Sequence, residues 1–441
     1  MHRAAYAAPA GGDVSIVDIL RSDGRVSIPD ATTRDVAARR ALAIAGVVPH
    51  ALVTPSTRAA LATCVRDAAA AGTAVVPLGL GAHRALGHRP ARYDLALSTR
   101  ALTRIVDYAS ADMTVTVESG VTVAALQGVL AREGQWLPVD PPLPEQTTVG
   151  GLIAADLAGP LATSQGRVRD LVIGTAMTTA DGKEVRAGGR VVKNVAGYDL
   201  MKLMIGSLGT LAVVTEATFK VRPRPQTTRL LVLACADRPA ALALASRLAE
   251  LDEVALAITL LDDGDTSPTW QCLLGGVAAD VDVVTTRIRA AARAASATVA
   301  YDEDGAAPAA AARLAVARDL SRTAADVVVR AATLRTRVVD LAAAMRASVD
   351  DGARVRARVD PRAATVTLAL ETADAGAAIA RLRAVATGHG ATLVVERWPD
   401  ALAATIDVWS PLPPALPLMR RVKAALDPAG VLAPGRFVGR I

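Results

Sequence analysis

Glycines and hydroxyl side chains are concentrated in short segments that suit the binding of a phosphate or a flat ring. In the segment PLGLGAHRALG, residues 77–87, three glycines (Gly79, Gly81 and Gly87) flank His83. Glycine lacks a Cβ, so the backbone can approach a ligand or adopt positive φ, and its amides remain available to an anion. Turns between strands use the same residues, so this segment alone fits a cofactor site and a plain turn equally well.

A second segment, PPLPEQTTVGG, places two threonines and two glycines shortly after three prolines. The prolines stiffen the chain, Thr147 and Thr148 supply hydroxyl groups, and Gly150 and Gly151 leave their amides uncovered. This combination suits a pyrophosphate or a ring system that lies against the main chain.

The elements that must position these segments follow from hydrophobic periodicity. Residues 47–77 predict a βαβ unit, with a helix that opens at Ser56 or Thr57 and a strand that runs into the first segment. Residues 113–120 alternate like a half-buried strand. Residues 121–134 repeat at helical spacing up to a glycine stop, which predicts a helix.

Two further patterns lie downstream. GRVRDLVIGTAMTTADGKEVRAGG predicts a hairpin with the turn ADGK. The stretch IGSLGTLAVVTE, residues 205–216, fits either a close approach to a ligand or a tight helix-to-strand connection that needs none. Between them, Asp199 is more consistent with a helix N-cap than with catalysis, and Lys193, Asn194 and Tyr198 receive no acid–base role.

In this order, the segments resemble the vanillyl-alcohol-oxidase-type (PCMH-type) FAD-binding family, and in particular the FAD-binding subunits of bacterial glycolate oxidases. The likeness runs from about residue 47 to 225 and returns in LDPAGVLAPGRF near the end of the sequence. It implies FAD as the cofactor and an α+β fold, in which a two-subdomain FAD-binding domain carries a ferredoxin-like α/β cap domain. The predicted limits are 1–225 for the FAD-binding domain, 226–410 for the cap, and 411–441 for a segment that returns to the FAD-binding domain.

The resemblance also implies which residues bind FAD. They are Gly79, Leu80, Gly81, Ala82 and His83 in a pyrophosphate loop, Thr147, Thr148, Gly150 and Gly151 in a second segment, Ser164, Gly166, Arg167 and Asp170 in a third, and Val213 and Val214 on the adenine or ring side. Arg436 is expected to face the flavin, where a cation stabilises negative charge on a reduced ring. The family often has asparagine where this sequence has Ala433. No catalytic residue is assigned.

His83 permits two interpretations. The loop is also similar to that of flavoproteins whose histidine bonds covalently to the flavin. An imidazole beside a phosphate has, however, an ordinary electrostatic role. The glycolate oxidase subunits usually have another residue at this position, so we prefer noncovalent binding.

Residues 226–410 predict a cap from their own pattern. Strands and helices follow the order βαββαβ twice, with an alanine-rich helical linker between the two halves. Two ferredoxin-like halves would form one antiparallel sheet covered by helices on one face. The arginines of these helices are interpreted as solvated, and His389 as a turn residue in preference to a catalytic base.

Composition limits the remaining classes of function. No apolar run of about 18 residues occurs, and the first residues lack a secretory pattern, so we expect a cytoplasmic protein, with at most peripheral association with the inner face of the cell membrane. Cys64, Cys235 and Cys272 are too widely spaced for a disulfide framework, and no histidine pair has metal-ligand spacing, so no metal site is expected. A net charge of +6 without a basic block, together with 2% aromatic residues, makes nucleic acid a weak hypothesis.

Three functions remain open. The preferred one is an FAD-binding subunit of a multi-subunit glycolate oxidase, beside a catalytic flavoprotein subunit and an iron–sulfur subunit that accepts electrons from a small hydroxy acid. The second is a self-sufficient FAD oxidoreductase of a small hydroxy acid or alcohol, which needs a base that the sequence does not identify. The third is a structural subunit with weakened FAD binding.

Overall fold

Three large β-sheets, a two-stranded ribbon and the covering helices make up the described fold. The computed structural model describes residues 32–33, 35–189, 199–251, 254–350 and 352–441. Mixed sheets and helices of this kind confirm the predicted α+β class. Among the described helices, none combines the length and the apolar character needed to cross a lipid bilayer.

The first sheet contains the predicted βαβ unit. Its elements are β1 (Thr32–Thr33), α1 (Val36–Arg40), β2 (Ala51–Val53), α2 (Arg58–Ala70), β3 (Val75–Leu78) and β4 (Leu95–Ser98), with the strand order β1-β2-β4-β3. Strands β2, β4 and β3 are parallel. Thr57 caps α2, since its side chain accepts a hydrogen bond from the amide of Ala60, which confirms the predicted helix start. The loop that follows β3 therefore emerges at the carboxyl edge of a parallel sheet.

The second sheet is antiparallel and carries the hairpin with the ADGK turn. Its strands β5 (Ile105–Ala109), β6 (Thr114–Glu118), β8 (Val172–Thr178), β9 (Glu184–Gly188) and β10 (Val213–Lys220) have the order β5-β6-β10-β8-β9. A separate ribbon pairs β7 (Gln135–Trp136) with β11 (Arg222–Pro223). The helices are α3 (Val123–Ala131), α4 (Val149–Ala155), α5 (Ala162–Gln165), α6 (Val168–Leu171) and α7 (Leu200–Met204). The amide of Thr179 donates to the carbonyl of Lys183 and closes the hairpin turn, as predicted.

The third sheet has nine antiparallel strands. They are β12 (Thr227–Ala234), β13 (Ala255–Asp262), β14 (Thr269–Gly276), β15 (Thr298–Asp304), β16 (Val327–Ala332), β17 (Arg354–Asp360), β18 (Thr365–Glu371), β19 (Thr392–Arg397) and β20 (Trp409–Ser410), in the order β15-β12-β14-β13-β17-β18-β16-β19-β20. The helices are α8 (Arg238–Ala249), α9 (Ala278–Ala294), α10 (Pro308–Asp319), α11 (Val338–Ala347) and α12 (Ala375–Gly388). We call this sheet with its helices the cap.

Each half of the cap has the order βαββαβ, and α10 is the predicted alanine-rich linker between the halves. The halves join where β13 pairs with β17, through Leu260 with Val359, Leu261 with Arg358 and Asp262 with Ala357. Apolar side chains from this sheet and from α8, α9, α11 and α12 form one continuous core. The cap is therefore a single packed unit.

After the cap, helix α13 (Leu416–Leu426) leads back to the first sheet. The amide of Val75 donates to Val431 and the amide of Ala433 donates to Val75, at 2.8 and 2.7 Å. The end of the chain thus contacts the strand that precedes the glycine loop. The limits at 225 and 410 stay predictions.

Candidate functional site

A cavity opens where the loop after β3 faces the start of α4 and the beginning of β10. Strand β3 supplies the loop from the parallel sheet, whereas α4 and β10 belong to the second subdomain. Eleven of the sixteen residues predicted to bind FAD line this cavity: Gly79, Leu80, Gly81, Ala82, His83, Thr148, Gly150, Gly151, Val213, Val214 and Arg436. The structure therefore brings together residues that are far apart in the sequence.

The loop of this cavity has the properties of an anion cradle. A Cβ atom at residue 79 would lie 2.1 Å from Oγ1 of Thr148, so only glycine fits there. Gly81 has a φ of +80°, which favours glycine. Within the described part of the chain, the amides of residues 80–83 donate to no acceptor. Free successive amides of this kind bind phosphate oxygens, so the loop fits the diphosphate of FAD.

The imidazole of His83 has a defined orientation and proton position. Its Nε2 lies 2.6 Å from Oγ1 of Thr147, and that hydroxyl lies 2.6 Å from the carbonyl oxygen of Pro142. Because a carbonyl only accepts, the hydroxyl donates to Pro142 and accepts from His83, so Nε2 carries the proton. Nδ1 is buried without a hydrogen-bond partner among the described residues.

The charge state of His83 follows from its surroundings. The pKa of this imidazole is lowered to about 3, mainly by burial and secondly by the positive charge of Arg322. The ring is therefore neutral near pH 7, and the lone pair of Nδ1 is free to accept a hydrogen bond or a proton.

Arg436 lines the same cavity, but most of its guanidinium is engaged by the loop. Its Nη1 donates to the carbonyl of His88 at 3.2 Å, and its Nη2 donates to the carbonyls of Arg84, at 2.9 Å, and Leu86. Burial lowers the pKa of this side chain to about 10. Arg436 thus fixes the glycine loop from the C-terminal segment, a function that the expectation of a flavin-facing cation did not include.

The third predicted segment lies away from this cavity. Ser164 donates to the carbonyl of Leu256 in β13 at 2.6 Å, which ties the second subdomain to the cap. Gly166 has a φ of +87°, and the carboxylate of Asp170 accepts from the amide of Arg167 at 2.9 Å. Ser164, Gly166 and Asp170 therefore organise a turn, and Arg167 lines a second cavity.

A second cavity, of about 240 Å³, lies between the second subdomain and the cap. Ala155 and Leu208 line both cavities, so the two are neighbours. Four arginines line the second one: Arg167, Arg322, Arg330 and Arg358. Sequence reasoning missed the three arginines of the cap, although the alternating arginines of RVRARVD in β17 show that one face of this strand is basic.

Other predicted residues have structural positions. Asp199 occupies the N-cap position of α7 without a side-chain capping bond. His389 is the C-cap residue of α12, and its Nδ1 lies 2.9 Å from the carbonyl oxygen of Val385, as expected for a turn residue. Lys193, Asn194 and Tyr198 lie outside the described residues. In the part of the chain that is described, no group of three or more histidine, cysteine or carboxylate side chains could hold a metal ion.

Comparison with known protein families matches residues 49–188 to the family described as "FAD binding domain". This range contains the glycine loop, His83 and the threonine segment. The protein contains an FAD-binding domain of this family. FAD is accordingly its cofactor, as predicted.

Several curated relatives of the FAD-binding domain are named as hydroxy-acid oxidoreductases. Glycolate oxidase subunit GlcE of Escherichia coli is 45% identical over 131 residues, 30% of this chain and 37% of that protein. Glycolate oxidase subunit GlcD of Bacillus subtilis is 32% identical over 185 residues, 42% of this chain and 39% of that protein. A D-2-hydroxyglutarate dehydrogenase of Xanthomonas citri is 33% identical over 186 residues, 42% of this chain and 39% of that protein. The chain thus spans about two fifths of the length of the curated relatives it matches.

Solved structures extend the likeness to the fold of the whole chain. A structure of alkyldihydroxyacetonephosphate synthase superposes with a TM-score of 0.73, covering 95% of this chain and 84% of that one, at 16% sequence identity. At this identity, the match concerns the fold alone.

Proposed function

We propose that this protein is the FAD-binding subunit of an enzyme complex that oxidises glycolate to glyoxylate. The observation that carries the proposal is the adjacency of two cavities, one with a free-amide glycine loop in the FAD-binding domain and one with several arginines under the cap. A cofactor in the first cavity would meet an anionic substrate in the second. The names of the relatives, two of which are glycolate oxidase subunits, support this choice.

The residues that would hold FAD follow from the first cavity. The amides of residues 80–83 would bind the diphosphate, and the segment from Thr148 to Gly151 together with Val213 and Val214 would contact the ring or the adenine. When bound, FAD supplies a two-electron acceptor. The Arg436 side chain would act indirectly, by holding the loop in the conformation that binds.

Oxidation of a hydroxy acid also releases the proton of its hydroxyl group. Nδ1 of His83 is unprotonated, buried and without a hydrogen-bond partner among the described residues. The pKa of about 3 makes this imidazole too weak a base to hold that proton near pH 7. We therefore assign Nδ1 as a hydrogen-bond acceptor toward a bound group and assign no base in this chain, which agrees with reduction that requires the partner subunits.

The proposed assembly includes a catalytic flavoprotein subunit and an iron–sulfur subunit that accepts the electrons, at the cytoplasmic face of the membrane. The proposed division of this chain is an FAD-binding domain to residue 225, a cap to residue 410, and a C-terminal segment that closes the glycine loop. The contacts of Val431 and Ala433 with β3 support the last assignment.

The test is anaerobic reduction. The full chain is loaded with FAD, glycolate is added, and the flavin absorbance is followed for the chain alone and for the chain co-expressed with its partner subunits. Reduction only in the complex is the expected result. Rapid reduction of the chain alone would instead identify a self-sufficient oxidoreductase. A chain that binds no FAD, with no thermal shift on FAD addition, would overturn the proposal in favour of a structural subunit.

A further inference from the structure

The second cavity contains four arginines and three carboxylates, and three of the arginines have a carboxylate partner. Arg167 contacts Asp156 at 2.7 Å. Arg330 donates to Glu396 at 2.9 Å, and Arg358 donates to Asp360, also at 2.9 Å. These pairs leave one positive charge in the cavity without its own counterion.

The remaining guanidinium is that of Arg322. Its side chain is only 4% exposed, and its nearest carboxylate oxygen, Oε2 of Glu396, is 3.9 Å from Nη2. Glu396 is already the partner of Arg330. Nε of Arg322 is buried and has no hydrogen-bond partner among the described residues. Burial lowers the pKa of Arg322, since a desolvated cation without a full partner is unstable.

The position of Arg322 is fixed by the chain around it. The residue ends a 3-10 turn, Leu320–Arg322, that follows α10. Arg358 donates to the carbonyl of Ala317 just before this turn, at 3.0 Å, and Arg397 donates to the carbonyl of Thr323 just after it, at 2.6 Å. Two neighbouring arginines therefore hold the turn, so the guanidinium of Arg322 is presented to the cavity by a rigid support.

We propose that Arg322 binds the carboxylate of a small monocarboxylate, and that its single unpaired positive charge makes the cavity discriminate against dicarboxylates. One carboxylate satisfies the free donors of Arg322 and leaves the cavity electrically balanced. A second carboxylate would find every other guanidinium already paired and would face Glu396 and Asp360 at close range. The identification of this monocarboxylate with the substrate rests on the proposed function. The names of these two relatives leave the substrate open between glycolate and 2-hydroxyglutarate.

Binding of unreactive acids tests the inference apart from turnover. The FAD-loaded full chain is titrated by calorimetry with acetate, and with malonate as a dicarboxylate of similar size. Acetate is expected to bind and malonate to bind at least about tenfold more weakly. Arg322→Met is expected to weaken acetate binding by about ten- to hundredfold, the range for a charge-assisted hydrogen bond.

Two variants keep this result interpretable. Arg247→Met removes an exposed arginine of cap helix α8 and so changes the net charge equally, and it should leave acetate affinity unchanged. Arg322→Met removes an incompletely paired buried charge, so its melting temperature should equal or exceed that of the wild type, which shows that the variant folds. Malonate binding as tight as that of acetate, or an unchanged affinity in Arg322→Met, would overturn the inference.

The outcomes also separate this inference from the proposed function. If acetate binding depends on Arg322 but glycolate does not reduce the flavin, the anion site is supported and the proposed activity is rejected. If glycolate reduces the flavin of Arg322→Met as fast as that of the wild type, the activity is supported and the anion site is rejected.

Discussion

Oγ1 of Thr148 occupies the space that a side chain at Gly79 would need, 2.1 Å from the position of its Cβ. The same hydroxyl accepts a hydrogen bond from the amide of Gly151 at 3.1 Å and caps α4. The contact joins the loop of the parallel sheet to the first helix of the second subdomain, so the two walls of the FAD cavity are positioned by one another.

Gly79→Ala should therefore open the cavity. Because the Thr148 hydroxyl would have to move, the variant should lose roughly 1–3 kcal/mol of stability, as for an overpacked core, and bind FAD more weakly. Calorimetric melting and the flavin absorbance of the purified protein measure the two effects. Gly128→Ala is the matched control, since nothing lies within 4 Å of its added Cβ, and in helix α3 it should stabilise by about 1 kcal/mol. Normal FAD content in Gly79→Ala would show that the contact is dispensable.

Arg436→Met should release the glycine loop. The carbonyls of Arg84, Leu86 and His88 would lose their donor, at a cost on the order of 3 kcal/mol. The expected results are a lower melting temperature and faster proteolysis within the loop. Arg421→Met, an exposed site on α13, serves as control. A loop that remains protected would mean that Arg436 does not hold it.

The pKa of His83 predicts a dependence of stability on pH. The folded-state pKa of about 3 lies below the ordinary value of 6.5, so between these values the unfolded chain binds the proton and the folded chain does not. Stability should fall as pH decreases from about 6.5 towards 3. His83→Asn should remove this part of the dependence, whereas His50→Asn, at a histidine that is 71% exposed, should not. Denaturant unfolding across this range makes the comparison, and equal slopes in wild type and His83→Asn would contradict it.

Asp140 should make folding stability depend on pH in the opposite direction from His83. Burial raises the pKa of its carboxyl group from 3.8 to about 7, so between these values the folded chain holds a proton that the unfolded chain has lost. Stability should therefore fall as pH rises from about 4 to 7. Asp140→Asn keeps an oxygen for the amide of Leu161 and should be more stable than the wild type at pH 8 but not at pH 4. Thermal melting at the two values gives the answer, with Asp112→Asn as an exposed control.

The glycine loop was predictable because local chemistry determines it. Gly81 adopts positive φ within the loop itself, and the resemblance to a flavin-binding family assigned both Gly79 and Thr148 to the FAD site. The contact with Thr148 that excludes a Cβ at Gly79 was not predicted. The cap followed from periodicity alone, since each βαββαβ half encodes its strands and helices locally.

The arginines of the second cavity were not predictable in the same way. Arg322 is buried because the short turn after α10 packs against the cap sheet, through Leu320 with Val328 and Ala369, and no local pattern distinguishes it from the solvated arginines of the cap. The opposite holds for Ser164. The family resemblance suggested a ligand contact, whereas its hydroxyl donates to the carbonyl of Leu256 and joins the second subdomain to the cap. Tertiary contacts over long sequence separations decided both cases.

The two halves of the cap are repeats of one another, and the turn Leu320–Arg322 belongs to neither. Strand register and helix packing constrain both halves, because a substitution on either inner face disturbs the shared core. Within the connector, Leu320 packs against Val328 and Ala369, whereas the guanidinium of Arg322 has no full partner. A change of ligand preference could therefore arise, in evolution or in the laboratory, by exchanging this one residue of the connector while both halves of the cap stay intact.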